Sequence, residues 1–218
     1  MIDHLRIWCQ IREQVPWQDI RHGPDWPPAP VQAHRDGLTH QITTVDQARD
    51  PARARRLLAA YDQARADTAS PLTFGLLAQW QQTILGVDDA PFRNGPAFAK
   101  AGREHYGLDP DTPALFDLCL AETEDPALPI ASRAARAYLD ICFFHPFPDG
   151  NARSALLALT FVLAKQNIVL DQVAPLTLQR PAHDPDGPQA LANLVVTLIE
   201  NTQRRSDSAP EPKPHRST

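Results

Sequence analysis

Cysteine is scarce in this 218-residue chain: Cys9, Cys119 and Cys142 are odd in number and too far apart for a CxxC pair. That argues against a zinc knuckle or a disulfide framework, and the three read as small buried hydrophobes in a reducing compartment. Positive charge is also short. With 21 Lys and Arg against 26 Asp and Glu, the formal net charge of -5 leaves no bulk electropositive surface for a nucleic-acid backbone. Long apolar runs are missing too. Nothing in MIDHLRIWCQIREQ resembles the core of a signal peptide, and no later stretch reaches the roughly 20 apolar residues a bilayer needs. The expectation is a cytoplasmic protein that partners neither nucleic acid nor membrane. Glycine is low at 9 residues and proline high at 22, so the prolines punctuate the chain. A hydrophobic content of 43% suffices for one sizeable core.

Residues 1–15 read as an amphipathic helix with Ile2, Leu5, Trp8, Cys9 and Val15 on one face, ended by Pro16. From Val15 to His40 regularity is lost, and Pro16, Pro24, Pro27, Pro28 and Pro30 with Trp17 and Trp26 suggest an extended arm pinned by aromatic contacts. His22, His34 and His40 lack metal-ligand spacing and read as solvated. Asp50 followed by Pro51 opens a helix over 51–66, whose Arg53, Arg55 and Arg56 read as a solvated face. Thr73 caps a second helix carrying Leu76, Leu77, Trp80 and Ile84, which stops at Gly86. The glycine- and proline-broken stretch 86–111 reads as hairpin or flap, and Thr112 with Pro113 begins another helix ending near Asp125. Two strongly apolar helices follow, one from Pro129 through Ile141 and one over 151–167. A last helix spans 187–203, and the tail after it lacks bulky apolar residues and is expected to be disordered. The expected division is 1–45, a helix and proline-rich arm; 46–203, the main domain; and 204–218, the tail.

The connection HPFPDGN between the two apolar helices carries the chemistry. His145 ends one helix, while Gly150, Asn151 and Ala152 begin the next, where unpaired backbone N–H groups and the positive dipole end favour an anion. Arg153 in that first turn offers a planar guanidinium for phosphate oxygens. Asp149 would repel such an anion unless a divalent cation, magnesium by preference, bridged the two. A neutral histidine beside them suits proton abstraction near pH 7.

His145, Pro146, Phe147, Asp149, Gly150, Asn151 and Arg153 resemble the signature loop of the Fic (filamentation induced by cAMP) family, usually written HPFx(D/E)GNGRxxR. More loosely, the segment PFRNGPAFA is similar to that family's target-docking flap. The resemblance implies an all-α fold, a helical bundle with a short β-hairpin flap, and transfer of AMP from ATP, with Mg2+, to a Ser, Thr or Tyr hydroxyl of a protein. It also implies roles. His145 would deprotonate the hydroxyl, Asp149 would hold magnesium, Gly150, Asn151 and Ala152 would cradle phosphates, and Arg153 would bind the phosphate chain. Phe147 would anchor the loop, and Phe92, Arg93, Ala97, Phe98 and Ala99 would dock the target strand.

Two positions depart from the pattern: Ala152 replaces a glycine, and Leu156 replaces a second arginine. They leave open another nucleotide donor or a catalytically silent Fic-fold binding or scaffold module. A kinase in the manner of the Doc branch fits less well, because that branch usually has lysine at the Ala152 position. Many relatives are restrained by a glutamate helix or by an antitoxin-like second chain. Glu200 with Asn201 is the nearest match to the first device here, although Val196 stands where its Ser or Thr belongs.

Overall fold

The computed structural model describes residues 2–20 and 30–208. His22, Pro24, Trp26, Pro27, Pro28 and positions 209–218 of the tail lie outside the described residues. Helix α1 (His4–Gln14) starts where Asp3 accepts the Leu5 amide at 3.0 Å, and it ends before Pro16. Its buried face is Leu5, Trp8 and Arg12, while Ile2 is exposed and Cys9 is half-buried. Arg12 enters the core because Asp140 meets it there, the ion pair closing at 2.8 Å.

Regularity returns earlier than the composition suggests. Strand β1 (Val31–Gln32) runs parallel to a later strand at Ile168 and Val169, and helix α2 (Gly37–Gln41) follows, continued by a π-helical turn over Ile42–Asp46 and a short piece, Gln47–Arg49. Asp36 makes this possible by accepting the Thr39 amide at 2.8 Å and the Tyr61 hydroxyl at 2.7 Å. Gly37 is required at the contact, because a Cβ there would lie 2.5 Å from the Asp171 carbonyl carbon. Val31, Leu38 and Ile42 are buried in the same core as Trp8 and Trp17. His34 is exposed, whereas His40 is half-buried.

Helix α3 (Pro51–Ala66) begins at Asp50, whose carboxylate accepts the Ala52 and Arg53 amides. Helix α4 (Phe74–Leu85) has the Thr73 cap and the left-handed Gly86 stop, φ 71°. A hairpin of β2 (Ala97–Ala99) and β3 (Glu104–Tyr106) pairs Ala97 with Tyr106. Helix α5 (Thr112–Ala121) buries Phe116 and Leu120, leaves Leu115 and Leu118 exposed, and passes into a 3-10 turn.

Helices α6 (Ile130–Phe144) and α7 (Asn151–Ala164) are the innermost pair and pack on each other most extensively. Ala131, Ala134, Ala135 and Ala137 on one, with Ala155 and Ala158 on the other, are fully buried, and these short side chains bring the two backbones close. After β4 (Ile168–Val169), helix α8 (Gly187–Asp207) lies along α6. It runs past the expected end near 203 because Arg205 pairs with Asp171, whose carboxylate also accepts the Thr202 hydroxyl at 3.0 Å. Among the described residues no helix is long and apolar enough to cross a membrane. The fold is all-α with a small hairpin.

Candidate active site

The loop between α6 and α7 is built by groups that satisfy one another. His145 ends α6 in the left-handed conformation, φ 47°, its amide still bonded to Ile141. Phe147 is buried and stacks on Phe74 at 5.5 Å, next to Phe92 and Phe116. The Asn151 side chain closes the loop: its amide accepts the Phe147 N–H at 3.0 Å and donates to the Phe147 carbonyl at 2.7 Å. Gln81, fully buried on α4, donates to the Asp149 carbonyl at 2.5 Å and accepts the Ser154 hydroxyl. Gly150 sits at φ 81°, and a Cβ there would fall 2.6 Å from the Gln81 Nε2. Arg93, expected to dock a target, is buried as a cross-link. Its amide donates to Pro146, and its guanidinium to the Phe144, Gly95 and Gly107 carbonyls.

In front of this loop opens a cavity of about 440 Å³, walled by His145, Asp149, Gly150, Ala152 and Arg153. The N–H groups of Asn151 and Ala152 start α7, where no carbonyl of the helix can reach them. Three arginines line the space, Arg153 with Arg49 and Arg53 from across the cleft. Burial, then the proximity of Arg53, lowers the pKa of Arg153, as expected of a cation facing another in a partly dry cleft. Asp149 is exposed at the rim, with one oxygen accepting the Gly150 amide at 2.6 Å and the other 3.4 Å from Arg153 and 3.8 Å from Arg53. The His145 ring stacks on Tyr106 at 4.6 Å, and its Nδ1 is buried with no hydrogen-bond partner among the described residues. Burial, assisted by Arg93, pushes its pKa down to about 4 from 6.5. Its contribution to stability is therefore complete above about pH 6.5 and is lost as pH falls toward 4. Phe98 on β2 is exposed and overhangs the cavity, while Ala97 and Ala99 are half-buried. Among the described residues the hairpin has two strands, leaving the outer edge of β2 open.

Residues 39–163 match the sequence profile of the Fic/DOC family. The chain belongs to that family. No curated protein matches it. Among solved structures it resembles a Fic domain containing signaling protein from Bacteroides thetaiotaomicron VPI-5482, with a TM-score of 0.56 and 17% identity over 76% of each chain. It also resembles IbpAFic2 covalently tethered to Cdc42, with a TM-score of 0.57 and 10% identity over 91% of this chain and 70% of that one. A Fic family protein from Desulfovibrio desulfuricans G20 aligns with a TM-score of 0.53 and 16% identity, over 99% of this chain and 65% of that one. At these identities the likeness is one of fold.

Relative to the Fic signature, this site has a different distribution of positive charge. Leu156, in place of the second arginine, is buried, and with Leu38, Leu57 and Tyr138 it lines an adjoining cavity of about 190 Å³. Arg49 and Arg153 border both cavities. Arg53, read from sequence as solvated, is half-exposed but turned into the site. The signal for it was a cap-to-arginine spacing, since Asp50 fixes the first turn that carries Arg53. Gln81 was legible as a lone polar residue inside the apolar stripe of Leu77, Trp80 and Ile84. Glu200, on α8, is half-buried and is not among the residues lining either cavity. Asp149 suits the family's magnesium: its carboxylate is exposed at the rim of an arginine-lined cavity, and magnesium needs only one carboxylate when phosphates and waters complete its shell.

Proposed function

We propose that this protein transfers a nucleotidyl group, AMP from ATP in the first instance, to a Ser, Thr or Tyr hydroxyl of a protein. The observation that carries the proposal is one cavity shared by a neutral imidazole, a rim carboxylate and three arginines at a helix start. The adenylylated Cdc42 solved in complex with IbpAFic2 supports it by analogy of fold. The donor's phosphates would lie against the α7 amides and Arg153, with their terminal end toward Arg53 and Arg49. A magnesium ion at Asp149 would neutralise phosphate charge when bound. The target's extended backbone would add to the open edge of β2 and present its hydroxyl to His145. The hydroxyl oxygen then forms a bond to the α-phosphorus, the bond to pyrophosphate breaks, and the hydroxyl proton passes to the Nε2 of His145. Phe98 would seat the target over the cavity.

The direct test is incubation with labelled ATP, GTP, UTP and CTP, with magnesium and cell lysate. Label in a protein band for at least one nucleotide is expected, and none with any of the four contradicts the proposal. Because His145 stays neutral down to about pH 4, the histidine limb of the kcat/KM profile is expected well below pH 6.5, with no loss between pH 7.5 and 6 traceable to this ring. Arg53→Ala is expected to raise the KM for the triphosphate about tenfold, the effect of about 1.5 kcal/mol from one charge-assisted contact, with the thermal midpoint unmoved.

Leu156 favours a second reading, a nucleotide-binding module without transfer. Leu156 itself brings an isobutyl group and no charge to the place where the signature has its second arginine, leaving Arg49 and Arg153 as the cations of that pocket. Saturable Mg-nucleotide binding with no label transfer on any lysate protein is the result that reading predicts.

A further inference from the structure

The hairpin carries a second cluster of ligating side chains, remote in sequence from the signature loop. His4 opens α1, Glu104 opens β3, and His183 lies in the segment before α8. One ligand atom from each lies within 4.8 Å of the other two. They border an open cavity of about 310 Å³, together with Lys100, Arg103 and Gln179. We propose that His4, Glu104 and His183 form a binding site for a divalent cation of the zinc class.

The donor set selects the ion. Two imidazoles and one carboxylate are the ligands zinc takes where a fourth position stays open, and they are poor ligands for magnesium or calcium. The His4 ring is already oriented for the task. The His105 amide and carbonyl both lie at its Nδ1, at 3.2 and 3.3 Å: in one tautomer the amide donates to Nδ1, and in the other Nδ1 donates to the carbonyl and leaves Nε2 as the ligand. The Glu104 carboxylate is 3% exposed and ionised, held by Lys100 at 2.8 Å, by the Tyr106 hydroxyl and by the Ala182 amide at 3.3 Å. A buried carboxylate needs a cation, and Lys100 supplies it without the metal. Lys100 also donates to the Arg180 carbonyl at 2.5 Å, so it has a second partner when the ion displaces it. Lys100 and Arg103 then face the open coordination position and favour an anionic fourth ligand, hydroxide or a carboxylate.

The consequence is mechanical. The ion would fasten α1 and the segment before α8 to β3, two residues from Tyr106, on which His145 stacks. The hairpin that overhangs the signature loop would be clamped by a bond absent from the loop itself.

The test uses the full chain, stripped with chelator and titrated with zinc chloride by calorimetry, with cobalt(II) as the spectroscopic probe. One equivalent of zinc is expected to bind and raise the thermal midpoint, and cobalt is expected to give the intense visible band of a four-coordinate site. His4→Ala and His183→Ala are each expected to weaken binding by roughly tenfold or more, while His34→Ala leaves it unchanged. Lys100→Gln, which removes the internal competitor, is expected to tighten it. Circular dichroism of each variant separates lost ligation from lost folding. Absence of stoichiometric zinc binding, or binding that survives loss of both His4 and His183, overturns the proposal.

Discussion

Replacing His145 by alanine is expected to reduce label transfer by about 10²–10⁴-fold, the usual worth of a positioned general base, while leaving Mg-nucleotide affinity within about twofold of wild type. The split follows from the geometry. The imidazole meets the cavity through the nitrogen that is not buried and makes no contact that holds the loop in place. Loop shape rests on Asn151, Gln81 and Arg93, none of which the substitution touches. The ring does stack on Tyr106 at 4.6 Å, so a modest loss of hairpin order accompanies the change. His145→Asn, which keeps a planar side chain against Tyr106, is expected to be equally inactive. Single-turnover labelling beside calorimetry reads the two quantities separately. Affinity falling in step with rate would mean that His145 holds nucleotide rather than moves a proton.

The largest effect on stability is expected at Asp140, far from the cavity. Its side chain is completely buried and accepts from the Trp8 indole at 3.0 Å and from Arg12 at 2.8 and 3.0 Å. Arg12 is itself nearly buried and reaches Glu122 as well, at 3.0 Å. Asp140→Ala strands the guanidinium and the indole N–H away from water, and about 3–5 kcal/mol of unfolding free energy is expected to be lost. The charge left behind, more than the bond lost, sets that cost. The paired replacement Arg12→Met with Asp140→Leu is therefore expected to recover much of the loss, because the guanidinium goes with its carboxylate and only the Trp8 indole N–H is left without its acceptor. Urea denaturation followed by tryptophan fluorescence measures both. A loss under about 1 kcal/mol for the single change would show the pair to be solvated.

Local chemistry made much of this molecule readable from its sequence. Asp50–Pro51, Thr73 and Gly86 fixed α3 and α4 to the residue, because caps and left-handed stops act within one turn. The signature loop was readable for the same reason, each of its groups lying within nine positions. What stayed hidden depends on partners distant in sequence. Asp36 makes a helix of Gly37–Gln41 partly through Tyr61, and α8 is prolonged by Asp171, 34 residues before Arg205. Arg12 is buried on the face of α1 only because Asp140, 128 residues later, meets it there. The side chains of Asn151 and Arg93 also hold the loop together through bonds to the Phe147 and Gly107 carbonyls, which only the folded geometry reveals. Arg53 was read by its neighbours Arg55 and Arg56 as solvated, when helical phase turns it alone of the three to the cavity.

The account turns on the cavity at the start of α7 being a seat for nucleotide phosphates. Titration of the full chain with ATP, GTP, UTP and CTP in the presence of magnesium measures this directly. Binding of at least one nucleotide at a single site is expected, weakened about tenfold or more by Arg153→Ala through loss of a charge-assisted contact and competed by pyrophosphate. No heat with any of the four, or affinity indifferent to Arg153, would contradict it.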